Sequence, residues 1–205
     1  MSRRYPVPAG RHRVEETRDR SRFIATVGPA RTVEEARAFV AEVAEEFPDA
    51  THNCWAHVVG PPGDTSRAGM SDAGEPHGTA GRPMLDVLLG SGVGDVVAVV
   101  TRYYGGRKLG KGGLVRAYGD GVKLALEGMP TREFVESVEL RVTIPYRAVP
   151  QFKSMAAEYE ARVLDESYTT DATFRVSLPK EEAPQFADAV FGMTNGSAAV
   201  EPWAA

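Results

Sequence analysis

The chain has 205 residues, 42% of them apolar, and a net charge of −4, which is enough apolar material for real cores and too negative a balance for a general nucleic-acid glue. Its single cysteine, Cys54, excludes an intrachain disulfide framework and fits a reducing compartment. No apolar run is long enough to span a membrane, and the arginine-rich start has no apolar signal segment, so the expectation is a cytoplasmic protein without a membrane partner.

Such a length favours two compact units, expected at 14–133 and 137–203. Their charge differs: residues 1–135 carry 18 Lys and Arg against 17 Asp and Glu, a net of +1, while 136–205 carry 6 against 11, a net of −5. Contact with a polyanion should therefore be local and confined to the first unit.

Residues 1–13, with Arg3, Arg4, Arg11 and Arg13 among Pro6, Pro8 and Gly10, are expected to be a loosely ordered entry. Residues 21–28 read as a first strand. Thr32 followed by Glu35 is a capping box, and Ala36, Phe39, Val40, Val43 and Phe47 then recur at helical spacing until Pro48. Residues 53–60 form a second strand, with Trp55, His57 and Val59 on one face and Cys54, Ala56 and Val58 on the other. A Cys54 nucleophile with His52 or His57 as base is conceivable, but His57 lies on the opposite face and a free cysteine in a strand reads first as a small core residue.

Residues 61–81 are polar and irregular, with five glycines and three prolines. Ser71, Asp72, Glu75, His77 and Thr79 crowd into nine positions. That density permits divalent-metal or acid–base chemistry, but the spacing matches no ligand signature, and the same residue types build ordinary turns. No metal site and no cofactor are assigned. A helix follows through residues 83–89. Thr79, Ala80 and Gly81 at its start are expected to offer free backbone N–H groups to an anion.

The richest stretch comes next. Residues 96–101 are an almost unbroken β-branched run, as in a strand covered on both faces. It opens into Gly105, Gly106, Gly110, Gly112 and Gly113, with Arg102, Arg107, Lys108, Lys111 and Arg116 and no acidic residue from 102 to 116. Glycines let the backbone approach a ligand and the cations attract charge, so the loop is expected to bind an anion, phosphate first. Gly105, Gly110 and Lys111 have the spacing of a Walker A motif. Gly112 stands where that motif needs a magnesium-binding hydroxyl, so an ATPase is rejected. A helix is expected from Leu114 to about Met129 and a linker at 130–136. After it, strand 137–146, helix 147–160, strands 161–169 and 171–178, helix 181–192 and strand 195–201 spell βαββαβ, a ferredoxin-like unit.

SDAGEPHGTAGRPMLDVL (71–88), VVTRYYGGRKLGKGGLVRAYGDG (99–121) and the His52–Ala56 run before them closely resemble the signature of the YigZ/IMPACT family. On this chain the signature falls on Ser71, Asp72, Glu75, Thr79 and Gly81, with His77 inside it. It resumes at Arg102, Tyr103, Gly105, Gly106, Gly110, Gly112, Gly113 and Arg116. Ala73 and Tyr104 are small departures from the pattern. The resemblance implies an α+β protein. Its N-terminal α/β domain would be similar to the second domain of a small-subunit ribosomal protein and to domain IV of elongation factor G. A smaller ferredoxin-like domain, similar to domain V of that factor, would follow. It implies no established catalytic activity. Eukaryotic members regulate translation through protein contacts, and for bacterial members the resemblance points to nucleic acid or the ribosome.

Three functions follow as expectations. The first is a non-enzymatic regulator bound to RNA or the ribosome, gripping phosphates with the glycine-rich loop and stacking bases on Tyr103 and Tyr104. The second is an enzyme on a phosphorylated small molecule or nucleotide, which requires Asp72, Glu75 or His77 to converge with Arg102, Lys111 and Arg116. The third is a protein–protein module, marked by an exposed apolar patch. Near-neutral charge on the first unit weakens the first reading, but the lack of a recognisable nucleophile or metal spacing weakens the second more, so the first is preferred.

Overall fold

A five-stranded antiparallel sheet organises the first unit. The computed structural model describes residues 4–203, with two units at Tyr5–Phe134 and from Val135 onward, Arg4 grouping with the second. The sheet strands are β2 (His12–Arg18), β3 (Ser21–Pro29), β4 (His52–Val58), β5 (Ala68–Ser71) and β6 (Val96–Tyr103), in spatial order β2-β3-β6-β4-β5; a separate strand, β1 (Arg4–Pro8), precedes them in the chain. The helices are α1 (Val33–Glu46), α2 (Gly81–Gly90) and α3 (Gly110–Gly128).

β6 is central and its side chains are buried on both faces, as its β-branched run requires. Val96, Ala98 and Val100 join Cys54, Ala56 and Val58 of β4 under α2 and α3, while Val97 and Val99 turn to Ala36, Phe39 and Val43 of α1. Each fully buried valine contributes roughly 1.5–3 kcal/mol to folding. Thr32 Oγ1 accepts from the Glu35 N–H at 3.1 Å, as a capping threonine does; the Glu35 carboxylate reaches back to Arg31 N, one residue before the cap.

Four local expectations are corrected. The entry expected to be loose folds into β1 and the start of β2, because Val7 is buried and β1 pairs with β7 (Thr131–Val135). Residues 1–3 of that entry lie outside the described residues. The expected linker is therefore mostly strand. Within the polar segment, β5 pairs antiparallel with β4, so part of it is sheet edge. α3 begins at Gly110 rather than Leu114: Gly110 turns the chain at φ +70°, and the uncapped first turn needs no apolar packing.

The second unit is built from β8 (Ser137–Ile144), α4 (Val149–Glu158), β9 (Arg162–Tyr168), β10 (Ala172–Pro179), α5 (Ala183–Met193) and β11 (Ala199–Pro202). Its strands lie in the order β11-β8-β10-β9, all antiparallel, which is the ferredoxin-like arrangement. Val142, Ile144, Phe174 and Val176 of the sheet pack on Phe152 of α4 and Phe186 of α5. The protein is thus α+β in two units.

Candidate functional site

At the end of β6 the buried strand delivers Arg102 into the first unit, 5% exposed. A cation there needs a partner, and Glu75 supplies it: Arg102 Nη1 donates to Glu75 Oε1 at 2.6 Å. The Tyr118 hydroxyl of α3 donates to the same oxygen at 2.8 Å, and His52 Nε2 stands 3.9 Å from it. His52 is held in turn by its Nδ1, 2.9 Å from the Ala73 carbonyl. Burial, with the Cys54 thiol and Glu75 beside it, pushes the Tyr118 hydroxyl far above the ordinary phenol range, so it stays a donor.

Of these groups, His52, Glu75 and Arg102 line an open cleft of about 470 Å³. Thr51 and His52 line one side, Pro76 another, and Tyr104, Lys108, Gly110, Lys111 and Leu114 complete it. Tyr104 is 45% exposed, and the Arg102 guanidinium lies 5.4 Å from its ring centre. Lys108 and Lys111 are exposed and make no ion pair or hydrogen bond among the described residues. The first turn of α3, which carries Lys111, has no side-chain cap. An anion at this rim meets two free ammonium groups and the positive end of a helix.

The 71–81 segment does something different from what its composition suggests. Asp72 turns inward and accepts from the N–H groups of Gly78 (2.8 Å), Ala80 (3.0 Å) and Gly81 (2.9 Å). The start of α2 is therefore already occupied by the protein's own carboxylate, and the expected free N–H groups are taken. Burial works to raise the Asp72 pKa, but those three donors outweigh it and hold the carboxyl below its ordinary range. Ser71 Oγ closes a turn by accepting from Ala73 N, and Thr79 Oγ1 donates to the Pro76 carbonyl. Gly81 lies so near the Ser71 backbone that a Cβ would meet it at 2.9 Å. His77 projects into solvent, 3.7 Å from Asp72. Of this segment only Glu75 and Pro76 face the cleft.

The glycine-rich loop divides as well. Gly105 presses on the Arg20 carbonyl and donates to Ser21 Oγ at 3.2 Å, and Gly106 turns at φ +82°. Gly112 and Gly113 lie in the first turn of α3. Arg107 pairs with Asp19 at 3.2 Å, and Arg116 is exposed on α3 away from the cleft lining. Tyr103 donates to Asp49 at 2.8 Å and carries Arg22 over its ring, outside the cleft. Of the set that the enzyme reading names, Glu75, Arg102 and Lys111 line one cleft, whereas Asp72, His77 and Arg116 lie outside its lining.

Two participants escaped the sequence reading. Tyr118 looks like any apolar helix position, and His52 enters only as a neighbour of Cys54 and as the first residue of the 52–56 run, with no role assigned to it. Nothing local marks either one. Cys54 itself donates from Sγ to the Asp72 carbonyl at 2.9 Å, and burial pushes its thiol up to about 12. It is a core group.

The fold and cleft define a two-domain α+β protein whose N-terminal domain carries the paired 71–81 and 102–116 segments. Residues 19–126 match the Impact N-terminal domain, and residues 133–197 match a domain of unknown function (DUF1949). IMPACT family member YigZ of Escherichia coli is 40% identical over 93% of this chain and 94% of its own. An IMPACT family member of Haemophilus influenzae is 36% identical over 96% of both chains, and YvyE of Bacillus subtilis is 34% identical over 94% of this chain and 87% of its own. A solved structure titled as that of a hypothetical protein, 38% identical, superimposes with a TM-score of 0.72 over 100% of this chain and 98% of its own. The chain belongs to the IMPACT family.

Proposed function

We propose that this protein is a non-enzymatic, translation-related regulator that holds a single-stranded segment of RNA, free or on the ribosome, in the cleft beside α3. The observation that carries this reading is the placing of Tyr104, Lys108 and Lys111 around one opening, with both lysines free of partners among the described residues. An exposed aromatic ring stacks a base without regard to sequence, and lysines beside it grip the phosphates on either side. The uncapped first turn of α3 adds backbone N–H groups to the same rim. Arg102 contributes indirectly: its charge is held by Glu75, and its guanidinium backs the Tyr104 ring.

The test is binding of the full chain to single-stranded RNA, structured RNA and ribosomal subunits across a salt series. Lys108→Ala/Lys111→Ala should weaken binding and flatten the logarithmic salt slope by about 0.7 for each phosphate left without its lysine. Arg107→Ala, outside the cleft and paired with Asp19, should do much less. Binding that ignores both salt and the double variant overturns the proposal.

A further inference from the structure

Glu75 is the one carboxylate on the floor of the cleft, and its two oxygens are used unequally. Arg102 and Tyr118 both donate to Oε1, and His52 Nε2 is nearest that same oxygen. Among the described residues no protein group bonds Oε2. Nor is Oε2 sealed away: among the described residues, the enclosed side-chain nitrogen and oxygen atoms without a partner are His57 Nδ1 and Arg102 Nε. Glu75 lines the cleft, so Oε2 is an acceptor presented to whatever enters. Its side chain is only 3% exposed, which leaves little water to satisfy it.

Resting on the strand-binding reading above, we infer that the cleft selects the base it holds, preferring one that offers an amino group to Glu75 Oε2 over uracil. The amino groups of cytosine, adenine and guanine donate to a carboxylate, whereas uracil turns carbonyl oxygens toward it on both sides of its single N–H. Repulsion between those two oxygens and the carboxylate weakens the one hydrogen bond that the uracil N–H can donate. Tyr104 supplies stacking that any base satisfies, the lysines supply the phosphate contacts, and Glu75 supplies the discrimination.

Cytosine against uracil is the clean comparison, since the two rings are equal in size and differ at the donor. The full chain is titrated with oligocytidylate and oligouridylate of equal length at one salt concentration and neutral pH. Oligocytidylate should bind about tenfold tighter. The isosteric Glu75→Gln must keep its carbonyl toward Arg102 and Tyr118, which turns its NH₂ into the cleft; the preference should then reverse toward oligouridylate. A melting curve recorded with each titration reports whether E75Q is folded. If it is not, wild type is titrated with oligo(N4,N4-dimethylcytidine), which lacks the amino hydrogens and should lose the advantage of cytosine. Equal binding of the two homopolymers, or a cytosine preference kept by folded E75Q or by the dimethylated strand, overturns the inference while leaving strand binding intact. Failure to bind either homopolymer overturns the strand-binding reading as well.

Discussion

Glu75 Oε1 and Arg102 Nη1 meet at 2.6 Å, with side chains 3% and 6% exposed, although 27 residues separate them in the chain. Both charges are largely withdrawn from water, so each is tolerated in the fold because of the other. The pair also fixes what the cleft presents: one free carboxylate oxygen, and a guanidinium lying against Tyr104.

Removing one partner strands the other. Arg102→Met should therefore cost about 3–5 kcal/mol of stability, measured by urea unfolding. Glu75→Leu combined with Arg102→Met should cost less than the sum of the two single changes, because no uncompensated charge remains. A loss below about 1 kcal/mol for the single variant would mean that the pair is far wetter than the structure has it.

Cys54 gives a prediction about reactivity. Its thiol is enclosed, donates to the Asp72 carbonyl and has its pKa pushed up to about 12 by burial. The thiolate is the reactive form, so native protein should resist iodoacetamide at mildly alkaline pH and react fully once unfolded in urea. Rapid alkylation of the native protein would sink the assignment of Cys54 to the core.

The parts of this architecture legible in the sequence are those written in local patterns. The run 96–101 announces a strand covered on both faces, Thr32 caps a helix, and βαββαβ specifies the second unit. What stays hidden depends on distant partners. No acidic residue lies between 102 and 116, yet Glu75 and Asp19 reach Arg102 and Arg107 from elsewhere in the chain. Asp72 has the look of a turn residue, and only the fold brings it under the first N–H groups of α2. β1 is short, proline-bearing and basic. Its strand character comes from pairing with β7, more than a hundred residues away.

Glycines in the loop should respond oppositely to the same substitution. A Cβ on Gly105 would lie 1.9 Å from the Arg20 carbonyl oxygen, and backbone cannot yield to it. Gly105→Ala should lift the loop from Ser21, cost about 1–3 kcal/mol in thermal unfolding and weaken RNA binding by displacing Tyr104. At Gly112 a Cβ meets nothing within 4 Å, and the residue is helical. Gly112→Ala should stabilise by about 0.4–1 kcal/mol. Equal effects at the two positions would contradict the packing of the loop.

Asp72 gives a prediction with a defined pH window. Its carboxylate takes three backbone N–H groups at the start of α2, and these hold its pKa below the ordinary value of 3.8 despite the opposing effect of burial. A carboxyl with a lower pKa folded than unfolded contributes stability that is fully present above the unfolded value and is lost as pH falls through the folded one. At neutral pH, Asp72→Ala should cost about 1–2 kcal/mol, the scale of a lost helix cap. The difference from wild type should hold constant down to about pH 4 and narrow below it. Urea unfolding of both proteins from neutral to acid pH measures this directly. A gap that closes near neutral pH, or widens in acid, would show that Asp72 does not cap α2 as an anion.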